Sequence, residues 1–158
     1  GLKKKSLQGD SVVAEIFEKF GVKTEYLPSG IRLTKLPNFG LPASNFQLNF
    51  SNCPDLAQTV AVASAALNIP VKLTGLSTLR LKETDRIAAL RQELAKFQVY
   101  TDEPREGELR IDASNARFDK DLILDTYDDH RMALAFSALC FTQFWSELRK
   151  AGFSITSL

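Results

Sequence analysis

Metal and redox chemistry have almost nothing to work with in this chain. Its 158 residues hold a single histidine, His130, and two cysteines, Cys53 and Cys140, with no Cys-x-x-Cys pair. That excludes a zinc framework and the disulfide scaffold of small secreted domains. Two isolated thiols read as reduced side chains of a cytoplasmic protein. Long apolar runs are missing as well, so no segment reads as a membrane-spanning helix. The start, Gly1-Leu2-Lys3-Lys4-Lys5, lacks the apolar core of a secretion signal, and Gly1 in place of Met points to a processed or excised chain. Charge of one sign is lacking too. Lys+Arg 20 against Asp+Glu 19 leaves a net charge of +1, so bulk charge points neither to nucleic acid nor to a membrane surface. What remains is the composition of one soluble globular domain, 44% hydrophobic and 25% charged.

Periodicity predicts a helix over Ser11–Phe20, with Val12, Val13, Ile16, Phe17 and Phe20 on one stripe, Asp10 or Ser11 as cap and Gly21 just past its end. Extended segments follow at Val22–Leu27 and Ile31–Leu36 around a Pro28-Ser29-Gly30 turn, then at Phe46–Phe50. Pro54 suits the first turn of a second helix, and Asp55 complements its positive end. That helix, Leu56–Leu67, is rich in Ala and Val and reads as buried nearly all round, with Asn68 ending it. A strand at Val71–Leu76 comes next.

The pattern then begins again. A helix over Asp85–Phe97 carries Ile87, Leu90, Leu94 and Phe97 on one face. Gln98–Thr101 and Glu108–Asp112 form an extended pair, Leu122–Asp125 a strand, and Asp129 opens another Ala-rich helix over Met132–Leu139. Phe20-Gly21-Val22 matches Phe97-Gln98-Val99 at an offset of 77, and Asp55 matches Asp129 at an offset of 74. A third copy of the first helix ends at Leu148–Phe153, matching Phe17–Val22. The fold class is therefore α/β, a domain of repeated α/β units with buried Ala-rich helices and small outer sheets. The third copy arrives early. Asp55 to Gln98 spans 43 positions but Asp129 to Gly152 only 23. About 20 residues, a strand and a turn, are expected to be missing near Cys140–Thr142, by omission or by genuine deletion.

Three places can carry chemistry. Lys82-Glu83-Thr84-Asp85-Arg86 opens a helix, where unpaired N–H groups and two cations suit a phosphate or carboxylate, and Glu83 could exchange a proton. The plainer reading is a solvated, well-capped helix start. Asp128-Asp129-His130-Arg131 opens the equivalent helix of the next copy and holds the only histidine beside a fixed positive fork. Its plainer reading is an acidic cap followed by surface polar residues. Asp55 alone reads as a helix-start aspartate, but equivalent helix starts in copies of one unit can converge on one face.

Lys82-Glu83-Thr84-Asp85-Arg86 and Asp129-His130-Arg131-Met132-Ala133 resemble the two signature motifs of the 5-enolpyruvylshikimate-3-phosphate synthases. Cys53-Pro54-Asp55-Leu56-Ala57-Gln58-Thr59 resembles a third family segment and Gln8-Gly9-Asp10 a fourth. Together they run through almost the whole chain in the right order. The related enolpyruvyl transferases acting on a UDP-sugar share the fold and lack the Lys-Glu-Thr-Asp-Arg pattern.

The resemblance implies a transferase that moves the carboxyvinyl group of phosphoenolpyruvate to the 5-hydroxyl of shikimate 3-phosphate, with no metal or organic cofactor. It implies two domains, each an inside-out barrel of three α/β units, acting as a monomer. By motif, Asp55 resembles the proton acceptor at the shikimate hydroxyl, Lys82 a lysine near the same substrate, and Glu83 the glutamate handling the methylene proton. Arg86 and Arg131 resemble the arginines on phosphoenolpyruvate, and His130 a supporting histidine. Residues 1–158 are expected to be most of one domain, without the second, and inactive alone. The family's lysine near the C-terminus is not found, and it belongs where the repeat runs short. The contrary expectation is a non-catalytic anion-binding or interaction module on the same scaffold.

Overall fold

The computed structural model describes residues 6–37, 39, 40, 46–118 and 122–139. Its helices are α1 (Val13–Glu18), α2 (Ala57–Ala66), α3 (Arg86–Lys96) and α4 (130–139); its strands are β1 (Val22–Leu27), β2 (Gly30–Lys35), β3 (Gln47–Asn49), β4 (Val71–Thr74), β5 (Tyr100–Asp102) and β6 (Leu109–Asp112). Short 3-10 turns at Gly9–Val12, Pro54–Leu56 and Ser77–Leu81 lead into α1, α2 and the approach to α3.

The larger sheet has the order β3-β4-β6-β5. β3 pairs parallel with β4 through the α2 crossover; β4–β6 and β6–β5 are antiparallel. Alternation places Leu48, Val71, Leu73, Leu109 and Ile111 on one buried face. α2 and α3 pack on that face, and Val60, Ala61, Ala65, Ile87, Leu90 and Leu94 complete the core. Small Ala side chains let α2 sit deep between sheet and neighbours, so it is buried nearly all round as expected. β1 and β2 form a separate two-stranded hairpin. These small sheets close no barrel among the described residues.

The copies end their helices alike. Gly21 after α1 and Gln98 after α3, matched at the offset of 77, both take positive φ, 82° and 59°. Asn68 ends α2 the same way at 54°, with the Ile69 N–H donating to Ser64 O.

Four expectations need correction. Ser11–Phe20 is not one helix: its first turn is 3-10, and neither Asp10 nor Ser11 caps α1, whose start has no side-chain cap. The strand expected at Val71–Leu76 stops at Thr74, because Gly75 turns with φ 76° where a Cβ would lie 2.4 Å from Ser51 Oγ. No strand forms at Leu122–Asp125. In the first copy the equivalent strand, β3, gets its ladder from β4, which follows α2; among the described residues no strand follows α4. Side chains of α3 hold that segment instead: Lys96 Nζ donates to Ile123 O, and the Asp125 N–H donates to Glu93 Oε2. Lastly, α4 is buried on one face only. Met132, Ala135, Phe136 and Leu139 are buried, whereas His130 and Leu134 are exposed. Their counterparts at the offset of 74, Leu56 and Val60, are buried.

Cys140, the third helix copy at Leu148–Phe153 and the expected gap all lie outside the described residues.

Candidate active site

Three helix starts converge. β3 runs through the Ser51–Cys53 turn into the 3-10 turn holding Asp55 at the head of α2. β4 runs through Ser77–Leu81 into the bend 82–84 and α3. Irregular chain 122–128 delivers Asp129 to the head of α4, with Tyr127 and Asp128 both at positive φ, 56° and 53°.

Arg86 is the hub. Its side chain is 1% exposed and donates to three carboxylates: Nε to Asp129 Oδ2 at 2.6 Å, Nη1 to Asp55 Oδ1 at 2.9 Å and Nη2 to Glu83 Oε2 at 2.7 Å. A second bond from Nη2 reaches Asp129 Oδ1 at 3.2 Å. Lys82 Nζ lies 3.5 Å from Asp55 Oδ1, and Arg131 Nη2 lies 3.4 Å from Asp55 Oδ2. Asp55 thus sits among all three cations. Arg131 also faces Asp10 at 3.8 Å. The Gln58 amide, turned so that both ends are satisfied, donates to Asp55 O and accepts from Arg86 Nε.

Burial would push the Asp129 carboxyl up. The Arg86 guanidinium and the N–H groups of Arg131 and Met132 outweigh it, so the carboxyl stays below its ordinary value. Burial would likewise lower Arg86, but Asp129, Glu83 and Asp55 hold it above its usual range. Three cations therefore meet four carboxylates: Asp10, Asp55, Glu83 and Asp129. Each cation is already paired, so an anion would have to share or replace a carboxylate; two of these, Asp55 at 27% and Glu83 at 50% side-chain exposure, are accessible for proton exchange.

Of the residues singled out from the sequence, Asp55, Lys82, Glu83, Arg86 and Arg131 come together. Among the described residues no hydrogen bond or ion pair joins His130 to them; it is exposed on α4. Neither Asp55 nor Glu83 is a side-chain cap; Asp85 caps α3, accepting from the N–H groups of Ile87 and Ala88. Sequence reasoning missed the buried role of Asp129 and the places of Asp10 and Gln58. The signal was there, since all three lie in the quoted motifs. Among the described residues no group of three or more His, Cys, Asp or Glu side chains is arranged to hold a metal, and no helix is long and apolar enough to cross a membrane.

The model of the EPSP synthase family, 3-phosphoshikimate 1-carboxyvinyltransferase, matches residues 1–143. The 3-phosphoshikimate 1-carboxyvinyltransferase of Bacteroides fragilis is 38% identical over 172 aligned positions, covering 98% of this chain and 41% of its own length. That of Cellvibrio japonicus is 36% identical over 142 positions, covering 89% of this chain and 32% of its own. The chloroplastic enzyme of Arabidopsis thaliana is 35% identical over 135 positions, covering 84% and 25%. This chain belongs to the EPSP synthase family, and it spans between a quarter and about two-fifths of the length of these relatives.

Proposed function

We propose that the chain supplies one side of the active site of a transferase moving the carboxyvinyl group of phosphoenolpyruvate to the 5-hydroxyl of shikimate 3-phosphate. The observation that carries this is the meeting of Asp55, Lys82, Glu83, Arg86 and Arg131 at three helix starts. The substrate oxygen adds to the enol carbon while a proton joins the methylene carbon. Phosphate then leaves, and the methyl group gives up a proton to restore the vinyl group. Asp55 takes the hydroxyl proton and Glu83 serves the methylene proton. Lys82 and Arg131 hold the anionic groups with Arg86, and His130 supports from the rim. Fixed cations aimed at a polyanionic transition state are the expected means of stabilising it. No cofactor enters this reaction. In this reading the 158 residues are most of one domain of a cytoplasmic monomer, and alone they lack half the clamp needed for near-attack geometry.

The test is a hybrid in which residues 6–139 replace the matching stretch of the Bacteroides fragilis relative. It should release phosphate only when both substrates are present, and the isolated chain should release none. A folded but inactive hybrid would sink the transferase reading and leave a non-catalytic anion-binding module. The shortfall after α4 is what favours that second reading.

A further inference from the structure

We propose that in the ligand-free protein the Glu83 carboxylate occupies the place on Arg86 that an incoming anion takes, so that anion binding exchanges one for the other. The proposal rests on the reading of Arg86 and Arg131 as anion holders.

A guanidinium has five N–H donors. Arg86 commits its Nε to Asp129, its Nη1 to Asp55, and its Nη2 to both Asp129 and Glu83. These bonds use four of the five donors, and at 1% exposure the remaining Nη1 N–H has no open face. An anion reaches it only if one of the three carboxylates leaves.

The three differ sharply in what their departure breaks. Asp129 has no exposed side-chain surface, holds two bonds from Arg86, and accepts from the N–H groups of Arg131 and Met132. Its departure would uncap α4 and strand a buried charge. Asp55 is shared by Lys82, Arg86 and Arg131, so its departure breaks three ion pairs. Glu83 is half exposed, stands on the bend 82–84 and has Arg86 as its partner. Water compensates the Glu83 charge once it leaves, and Arg86 keeps its bonds to Asp129 and Asp55, so this pair costs least to break. Glu83 is therefore the group that yields. Once displaced it stays tethered beside Arg86, at the edge of the bound anion, where a proton donor or acceptor is useful.

The exchange has a consequence opposite to simple loss of a binding residue: removing the Glu83 charge tightens anion binding. The test titrates the 158-residue chain with inorganic phosphate by calorimetry. Glu83→Gln, and independently Glu83→Ala, should bind phosphate about fivefold more tightly than the parent, the order expected when a half-exposed pair need not be broken. Glu106→Gln, an exposed carboxylate distant from the cluster in sequence, controls for net charge and should bind as the parent does. Arg131→Gln should weaken binding. If both Glu83 variants bind no better than the parent while Arg131→Gln still weakens binding, the exchange is overturned and the anion-site reading stands. If no protein binds phosphate, or Arg131→Gln changes nothing, the anion-site reading falls and the exchange with it.

Discussion

Arg86 Nε and Asp129 Oδ2 lie 2.6 Å apart, with side chains 1% and 0% exposed. The pair ties the head of α3 to the head of α4 across 43 positions of sequence. Removing Asp129 takes from Arg86 its one fully buried partner and leaves only the partly exposed Asp55 and Glu83; breaking a buried pair from one side is worth about 3–5 kcal/mol. Asp129→Ala should therefore lose stability on that scale in urea unfolding, and Asp129→Asn less, because its amide oxygen still accepts. A loss under about 1 kcal/mol for the alanine variant would show that water or Glu83 takes over the Arg86 donors.

The same pair sets an acid limit. The folded Asp129 carboxyl titrates below its ordinary value of 3.8. Just below that value the unfolded chain binds a proton that the folded chain does not, so stability falls as pH falls through this window and is fully present above it. Asp112, held low by the N–H of Ser114, adds in the same direction. Urea midpoints compared at about pH 3 and about pH 6 should differ less in Asp129→Asn than in the parent. An equal difference would place the acid sensitivity elsewhere.

The repeat is what made the site legible. Helix starts and ends followed from Pro54, Asn68, Asp85 and Gly21, and the matched offsets placed Asp55 and Asp129 in equivalent positions before any contact was known. What sequence could not supply was partnership. A strand at Leu122–Asp125 needs a neighbouring strand, and an apolar face on α4 needs a cover; both depend on chain that follows. Arg86 shows the same limit from the other side. Its motif marks it as an anion holder, yet only the fold reveals that three carboxylates already surround it.

Arg80 braces the bend that presents Lys82 and Glu83. Its Nη1 donates to Asp85 Oδ2 at 2.5 Å, five positions on, and its Nη2 donates to Glu103. Glu103 in turn accepts from the N–H of Gly107, closing the turn between β5 and β6. The bend is thus fixed at both ends. Arg80→Gln should raise amide hydrogen exchange at residues 82–84 several-fold while global stability drops by only about 1 kcal/mol, as for a partly exposed pair. Unchanged exchange at 82–84 would show that the bend holds its shape without the brace.

Glu83→Gln and Asp55→Asn separate chemistry from structure. Neither carboxylate caps a helix; half-exposed Glu83→Gln should cost about 1 kcal/mol of stability or less, and Asp55→Asn, which weakens three ion pairs, should cost more. A proton-transfer role is worth about a hundredfold or more in rate. In the hybrid enzyme, turnover should fall by at least that factor in each variant, assayed where urea unfolding shows both variants still folded. Near-normal turnover in both would leave these groups with ion pairing alone.

Segment 122–125 gives the last prediction. The repeat points to missing chain after α4, and the alignment with a relative shows a shortfall of similar size without giving its place. The repeat falls short by 20 positions between Asp129 and Gly152. The alignment with the Bacteroides fragilis relative runs over 172 positions but covers 98% of 158 residues, so about 17 positions find no counterpart here. In the first copy the piece that follows the buried helix is β4, and β4 gives β3 its ladder, Gln47 to Lys72 through Asn49 to Thr74. Without its equivalent, 122–125 leans on Lys96 and Glu93 instead. The face of α4 holding Leu134, 69% exposed, also stays uncovered. Inserting the relative's own stretch between Cys140 and Thr142 should restore both. The amides of 122–125 should then gain protection from hydrogen exchange. Unfolding in urea should steepen, because more surface is buried in the folded state. An insert that leaves these amides exchanging as before would show that 122–125 never pairs in this chain, and that the shortfall lies elsewhere in the third copy.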